Sequence, residues 1–303
     1  MTQGSASSVH LWKEQTWHHA YQFPWSMSMK PIIKSVQAYK ISPSHSSKSN
    51  PSTSISSRKK STPKAQSRLQ ASRIKYHHLH VFNQQAYMQH TPFRFIQQKG
   101  KMKAMSYYHH SIYKREIPLK VDRNHDFLNA LMWLTFPKTR WEILQQQAQL
   151  VSHRAQQQIK HRGTREDLLT LFDESGAIVV TDDLLCYQLI QQRDWMELFW
   201  RQRARCHQHV KLYIVGHGLY EQLLKPFIGL VTYAKVYYVA PITHSWSIAR
   251  MMKYLDQKMC GEIKSHAPLT LSAFPFLGLP YYWPQDEEFY QNTRYFRGPY
   301  HAT

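Results

Sequence analysis

The chain lacks the short signatures that most directly announce a reaction. It has no P-loop, no Gly-x-Gly-x-x-Gly, no Gly-x-Ser-x-Gly and no His-Glu-x-x-His. That removes sequence support for a nucleotide-binding loop, a dinucleotide fold, a nucleophile elbow and a two-histidine zinc helix. Cysteine is scarce: Cys186, Cys206 and Cys260, far apart and never as Cys-x-x-Cys. Neither a disulfide framework nor a zinc ribbon follows from three such residues. Reduced, buried thiols are the expectation. Cys206 sits between Arg205 and His207, neighbours that lower a thiol pKa, yet no base with an orienting partner stands beside it.

Long apolar runs are absent too. No stretch approaches the roughly 18 apolar residues that a membrane span needs. The first residues show no apolar core followed by a small-residue cleavage site, so the reading is a cytoplasmic protein without a transmembrane segment.

Acids are nearly missing from the first part of the chain. Residues 1–121 hold 19 Lys+Arg against Glu14 and Glu116, a balance of +17, within a total of +20. Residues 122–303 hold 20 against 17 and read as an ordinary globular domain. Positive charge in one block points to a nucleic acid or an acidic protein as partner, or to a solvated segment with no ligand. Residues 42–75 contain no acid and only Ile55, Leu69 and Ile74 as large aliphatics. They cannot bury enough surface to offset ordering entropy, so a disordered insertion is expected. Within it Arg58, Lys59, Lys60 and Lys64 are the candidate phosphate contacts.

The fold expected is α+β: one main domain over 76–303, with a small mixed sheet flanked by helices. Residues 1–16 read as loose. Residues 17–41 carry Trp17, Phe23, Trp25 and Ile32 and read as a segment docking on that domain. In the main domain, Phe93–Ile96 alternates like a strand. The run Arg123–Pro137 reads as a buried helix, capped by Asn124 or Asp122 and ended by Pro137. Trp141, Leu144, Ala148, Val151, Ala155 and Ile159 recur at helical spacing with glutamines opposite. Leu168–Phe172 and Ala177–Thr181, either side of Asp173-Glu174-Ser175-Gly176, read as a hairpin. Asp182 or Asp183 caps a helix through Ile190, and Asp194 caps another. Val210–Val215 is a strand that Gly216-His217-Gly218 turns into a helix. Tyr233–Val239 is a further strand, and Ser245 caps a helix ending at Gly261. The stretch from Pro268 is expected to wrap across the domain.

Polar residues on the buried stretches are the candidate chemistry, because an unpaired buried polar group costs roughly 1–3 kcal/mol. His125 and Asn129 are four apart, and Asp126 and Asn129 three apart. His217 and Glu221 are four apart at the start of a helix that follows a strand, where α/β sheets place ligands. Gly216 and Gly218 would let a ligand approach the backbone. With Asp173, these residues make a mixed histidine and carboxylate set suited to a divalent metal or to a histidine general base. The expected roles are catalytic for His125, Asp126, Asn129 and Asp173, and metal-binding for His217 and Glu221. Each has a plainer reading as a cap, a turn residue or a satisfied core histidine.

Basic and aromatic residues also interleave along Tyr76–Arg115. Phe93, Arg94, Lys99, Lys101, Tyr107 and Tyr108 are the mixture that phosphate contacts and base stacking need, though no RNA- or DNA-binding motif appears. Two function classes therefore stand together. One is a metal-assisted, hydrolase-like small-molecule enzyme. The other is a non-catalytic nucleic-acid- or protein-binding factor.

Four blocks in order carry a resemblance. They are Arg123–Pro137 (RNHDFLNALMWLTFP), Asp167–Gly176 (DLLTLFDESG), Gly216–Glu221 (GHGLYE) and Phe274–Pro280 (FPFLGLP) with Phe289-Tyr290 and Phe296-Arg297. Together they resemble the bacterial domain of unknown function 3025 family over about Phe93 to Arg297. The resemblance implies a bacterial cytoplasmic domain built as one unit, and it brings no reaction, substrate or cofactor. Glu166 stands where an Arg is expected and Tyr281 where a Gly is expected. The first departure weakens an anion-binding role for that turn.

Overall fold

The computed structural model describes residues 79–120, 124–223, 225–280, 282 and 285–298. The expectations for residues 1–75, including Arg58, Lys59, Lys60 and Lys64, lie outside these residues, as do those for Asp122 and Tyr281.

Helix α1 (79–88) leads into β1 (Arg94–Gln97), α2 (Ala104–Lys114) and β2 (Glu116–Leu119). The strands pair in parallel, Arg94 opposite Glu116, and their side chains form an ion pair. Two long helices follow, α3 (Asn124–Thr135) and α4 (Pro137–Gln156). Pro137 occupies the first turn of α4, where its missing N–H costs nothing. So it opens the second helix directly after the first has closed.

The main sheet has the order β4-β3-β5-β6, with β3 (Gly176–Thr181), β4 (Val210–Ile214), β5 (Val231–Tyr238) and β6 (Ser272–Pro275). β3 runs parallel to β5 and antiparallel to β4, and β5 and β6 are antiparallel. Every residue of β3 is buried, as a central strand covered on both faces requires. Alternate residues serve two cores. Ala177, Val179, Leu212, Ile214 and Ala234 face the cluster that contains α3's Ala130–Leu134. Ile178, Val180, Tyr213 and Tyr237 face the cluster that contains α9 (Ile248–Lys264). The expected α+β architecture, a small mixed sheet flanked by helices, is the one observed.

The expected hairpin is not there. Leu168–Phe172 lies inside helix α5 (Thr164–Ser175), which runs straight into β3. The burial of Glu166, Leu169 and Phe172 at spacings of three gives the period away, and Glu166 and Asp167 sit in the first turn, where the helix dipole favours acids. Gly176 makes the junction possible, since a Cβ there would lie 2.2 Å from the Phe172 carbonyl oxygen. Glu166, the departure noted above, is buried and paired with Arg154 at 3.2 Å and Arg162 at 3.5 Å.

Other details shift. α4 stops at Gln156, leaving Ile159 exposed, and two of its glutamines face inward. Gln146 donates to the Ile263 carbonyl of α9, and Gln147 to the Thr170 hydroxyl of α5. Asp256 of α9 accepts from the backbone N–H groups of Lys138 and Thr139, closing the first turn of α4 from another helix. α9 is capped by Ser247, with a 3₁₀ turn at Pro241–Ser245 before it, and continues past Gly261 to Lys264. Asp183 caps α6 (Leu184–Gln192). Asp194 accepts from Glu197 N–H at a π-helical turn, Glu197–Arg201, that precedes α7 (Arg203–His209). Cys206 is fully buried in α7, and burial pushes its thiol pKa up, against the expectation drawn from Arg205 and His207. Burial likewise pushes Cys186 up to about 12. After β4 comes α8 (His217–Leu223). The C-terminal stretch supplies the edge strand β6 and then α10 (Glu287–Tyr290), whose Tyr290 packs on Phe199 and Trp200.

Candidate metal centre

Three helix ends meet beside the start of β3. The last turn of α5 brings Asp173 and Glu174, the first residue of α8 is His217, and the first turn of α3 brings His125. α8 lies directly on the end of α5 because both of its glycines lack side chains. A Cβ on Gly216 would stand 2.4 Å from the Glu174 carbonyl oxygen, and one on Gly218 2.9 Å from Glu174 Oε2. The Gly-His-Gly spacing thus admits a neighbouring helix end, where the sequence reading had reserved room for a ligand.

His217 is almost wholly buried, with its side chain 4% exposed. Its Nδ1 lies 3.1 Å from the Asp173 carbonyl oxygen, an acceptor only, and 3.5 Å from Arg140 Nη1, a donor only; the shorter contact puts the proton on Nδ1 and leaves Nε2 its lone pair. His125 is half exposed, and its Nδ1 lies 3.0 Å from Glu221 Oε2. That carboxylate likewise fixes the proton on Nδ1. The two Nε2 atoms then face each other at 3.0 Å, and Glu174 Oε2 lies 3.5 Å from that of His217. Ligand atoms of His125, Glu174 and His217 all fall within 4.8 Å of one another.

Charge reinforces the arrangement. Burial first, then the Arg140 guanidinium and then His125 push the His217 pKa down to about 2, so the ring is neutral near neutral pH. Burial raises the Glu174 carboxyl and Asp173 raises it further, while His125 and Arg140 pull it back. Asp173 itself is raised by burial, with Arg140 as the main opposing charge.

Beside the cluster opens a cavity of about 240 Å³. Arg140, from the first turn of α4, is 3% exposed in its wall. Its Nη1 contacts Asp173 Oδ1 at 2.7 Å, its Nη2 donates to Asn129 Oδ1, and the guanidinium lies 5.3 Å from the Trp133 ring centroid. Tyr107 and Tyr108 of α2 line the same cavity. Burial pushes both phenols up, Tyr108 to about 12, so both stay protonated donors.

The structure brings His125, Asp126, Asn129, Asp173 and His217 to one cavity, with Glu221 behind His125. Within it Asp126 has a second contact, accepting from the Lys120 N–H and tying α3 to the end of β2. Glu221 lies outside the three-residue cluster, touching Nδ1 of His125. Glu174 and Arg140 were missed as site residues. Glu174 was visible as the neighbour of Asp173 in a signature block. Arg140 gave no signal, because its partners Asn129 and Asp173 come from other helices and share no spacing with it.

No helix among the described residues is long and apolar enough to cross a membrane. Comparison with curated proteins gives no match, and comparison with solved structures gives none either. The family model described as "Protein of unknown function (DUF3025)" matches residues 93–299, well over half of the chain and all four signature blocks, and the chain belongs to that family.

Proposed function

We propose that this protein is a metal-assisted hydrolase acting on a small molecule, with a divalent ion held by His125 Nε2, His217 Nε2 and Glu174. One observation carries the reading: two imidazole Nε2 atoms, each with its Nδ1 already bonded to an acceptor, approach to 3.0 Å with a carboxylate at their side. Two unprotonated nitrogens this close repel unless a cation sits beside both. A shared proton would suit the 3.0 Å distance alone. The third donor favours a metal, since adjacent ligands of a tetrahedral ion with bonds of about 2.0–2.1 Å stand roughly 3.3 Å apart. The separations of 3.0 and 3.5 Å bracket that edge length. Two histidines and a carboxylate, with a position left open, are a catalytic donor set.

Each remaining residue then has a task. Glu221 and the Asp173 carbonyl hold the imidazoles with Nε2 outward, the outer support that ligating histidines need. Asn129 and Asp173 hold Arg140 in the cavity wall. A divalent ion held there would lower the pKa of a water from 15.7 toward roughly 7. Asp173, in the cavity wall with its carboxyl pushed up by burial, would be the group to take a proton from such a water. Asp126 positions the start of α3. These assignments depart from the sequence reading at four residues: His125, expected as catalytic, becomes a ligand; Glu221, expected as a ligand, becomes a support; and Asp126 and Asn129, expected as catalytic, become positioning groups. The binding-factor reading keeps its charge block but loses Tyr107 and Tyr108, which line the cavity.

The test is metal content of the purified full chain by mass spectrometry, followed by zinc and manganese titration of the chelated protein. One ion per chain, lost in His125→Ala and in His217→Ala, is the expected result. A metal-free protein that takes up no ion at neutral pH overturns the assignment.

A further inference from the structure

A second cavity, of about 390 Å³, lies at the β6 edge of the sheet and uses no residue of the metal cluster. Three arginines line it: Arg193 at the end of α6, and Arg294 and Arg297 from the C-terminal stretch that follows α10. No carboxylate lines it. Its remaining walls include the rings of Trp195, Tyr233 and Tyr295.

The cationic side is held in place by groups already committed elsewhere. Trp195 Nε1 donates to the Arg297 carbonyl at 2.8 Å, which pins that residue's backbone at the rim. Arg297 Nε donates to the Arg294 carbonyl, which leaves its two terminal nitrogens for another acceptor. Tyr295 is locked by its hydroxyl, which donates to Leu230 O and accepts from Leu277 N–H. Arg294 and Arg297 are both exposed, and neither has an acidic partner among the described residues. Like charges gathered in one concavity repel each other, and an anion between Arg294 and Arg297 would offset that repulsion.

We propose that this cavity binds a small phosphorylated molecule carrying at least two negative charges. A guanidinium fork matches the oxygens of a phosphoryl group two at a time. Two such forks side by side match a diphosphate better than a single carboxylate. The volume falls within the range of pockets that hold small ligands. The fourth signature block supplies no residue to the metal cluster, and here its Arg297 has a task.

The experiment is calorimetric titration of the full chain with inorganic pyrophosphate at low and physiological salt. Saturable binding with Kd below ~1 mM is expected. The double variant Arg294→Ala/Arg297→Ala should weaken it at least roughly tenfold, as loss of charge-assisted bonds does. Arg297→Lys should recover little, because an ammonium cannot replace the fork. Lys253→Ala/Lys264→Ala, an equal loss of exposed charge on α9, should leave the affinity unchanged. The proposal is overturned if pyrophosphate does not saturate, or if the lysine control loses as much as the arginine pair. It is also overturned if a single-stranded oligonucleotide binds this face and pyrophosphate does not displace it. Metal content plays no part in these readouts, so failure here leaves the metal assignment standing, and the reverse holds too.

Discussion

The antiparallel pair β3–β4 carries a histidine and an acid at each of its two ends. At one end Asp182 follows β3 and His209 precedes β4, with Nδ1 and Oδ1 2.9 Å apart. At the other Glu174 precedes β3 and His217 follows β4, and the closest approach is a looser 3.5 Å. Contact distance alone would rank the first pair higher. The surroundings reverse the ranking. His209 spends Nδ1 on its acid and is 27% exposed, whereas His217 ties Nδ1 to a backbone carbonyl and aims Nε2 at a second histidine. A histidine–carboxylate contact is ordinary structure. A ligand site needs lone pairs left over after the structural bonds are made, and converging.

The comparison breaks most sharply on metal binding. His217→Ala should lower metal affinity by at least roughly 100-fold, the upper end of what loss of a mere supporting partner does. His209→Ala should leave it unchanged. Equal losses in the two variants would mean that the convergence at His217 has no special standing. Next in size is the packing that creates it. Gly216→Ala places a methyl 2.4 Å from a backbone oxygen, where no side chain can yield. A loss of roughly 1–3 kcal/mol in unfolding free energy is expected, as for other overpacked positions. Gly163→Ala, with open space around its Cβ, serves as the control.

Acid tests the two ends on one axis. The His217 pKa falls from 6.5 in the unfolded chain to about 2 in the folded one. Between those values the unfolded state binds the extra proton, so stability rises with pH and drains away as pH drops below about 6.5. The slope contributed approaches ~1.4 kcal/mol per pH unit. Denaturant unfolding of wild type and His217→Gln across pH 4–7 should show the variant with the shallower dependence. Parallel curves would mean that His217 is not held neutral.

How much of this was legible in the sequence depended on whether the cause was local. Periodicity located β1 and most of α4, because burial of one face writes itself into neighbouring residues, and unbroken apolar runs located α3 and β4. It failed at Leu168–Phe172, where a short apolar run fits strand and helix alike and only tertiary packing of Leu169 and Phe172 decides. It failed again for Gln146 and Gln147, polar residues drawn inward by partners on α9 and α5. His125, Asp126, Asn129, Asp173, His217 and Glu221 could be chosen because they are polar residues on otherwise apolar or glycine-flanked stretches. Their division of labour could not, since it turns on which nitrogen of each ring is already occupied. Arg140 was out of reach for the same reason: its partners come from two other helices.

The smallest expected effect bears on the outer support. Glu221→Gln keeps the size of the side chain but replaces a charged acceptor with an amide. The carboxamide oxygen can still accept from His125 Nδ1, so the tautomer survives and only the negative charge is lost. The pair is half exposed, which limits that charge's influence through solvent screening. Metal affinity should therefore fall by about tenfold, the low end for a supporting carboxylate. Glu221→Ala removes the acceptor, frees the ring to flip, and should cost several-fold more. Asp182→Asn at the far end should change nothing in metal binding. If Glu221→Gln and Glu221→Ala behave alike, charge rather than ring orientation is what Glu221 supplies. If neither moves the affinity, His125 is held by something else, and the lone-pair argument loses one of its two sides.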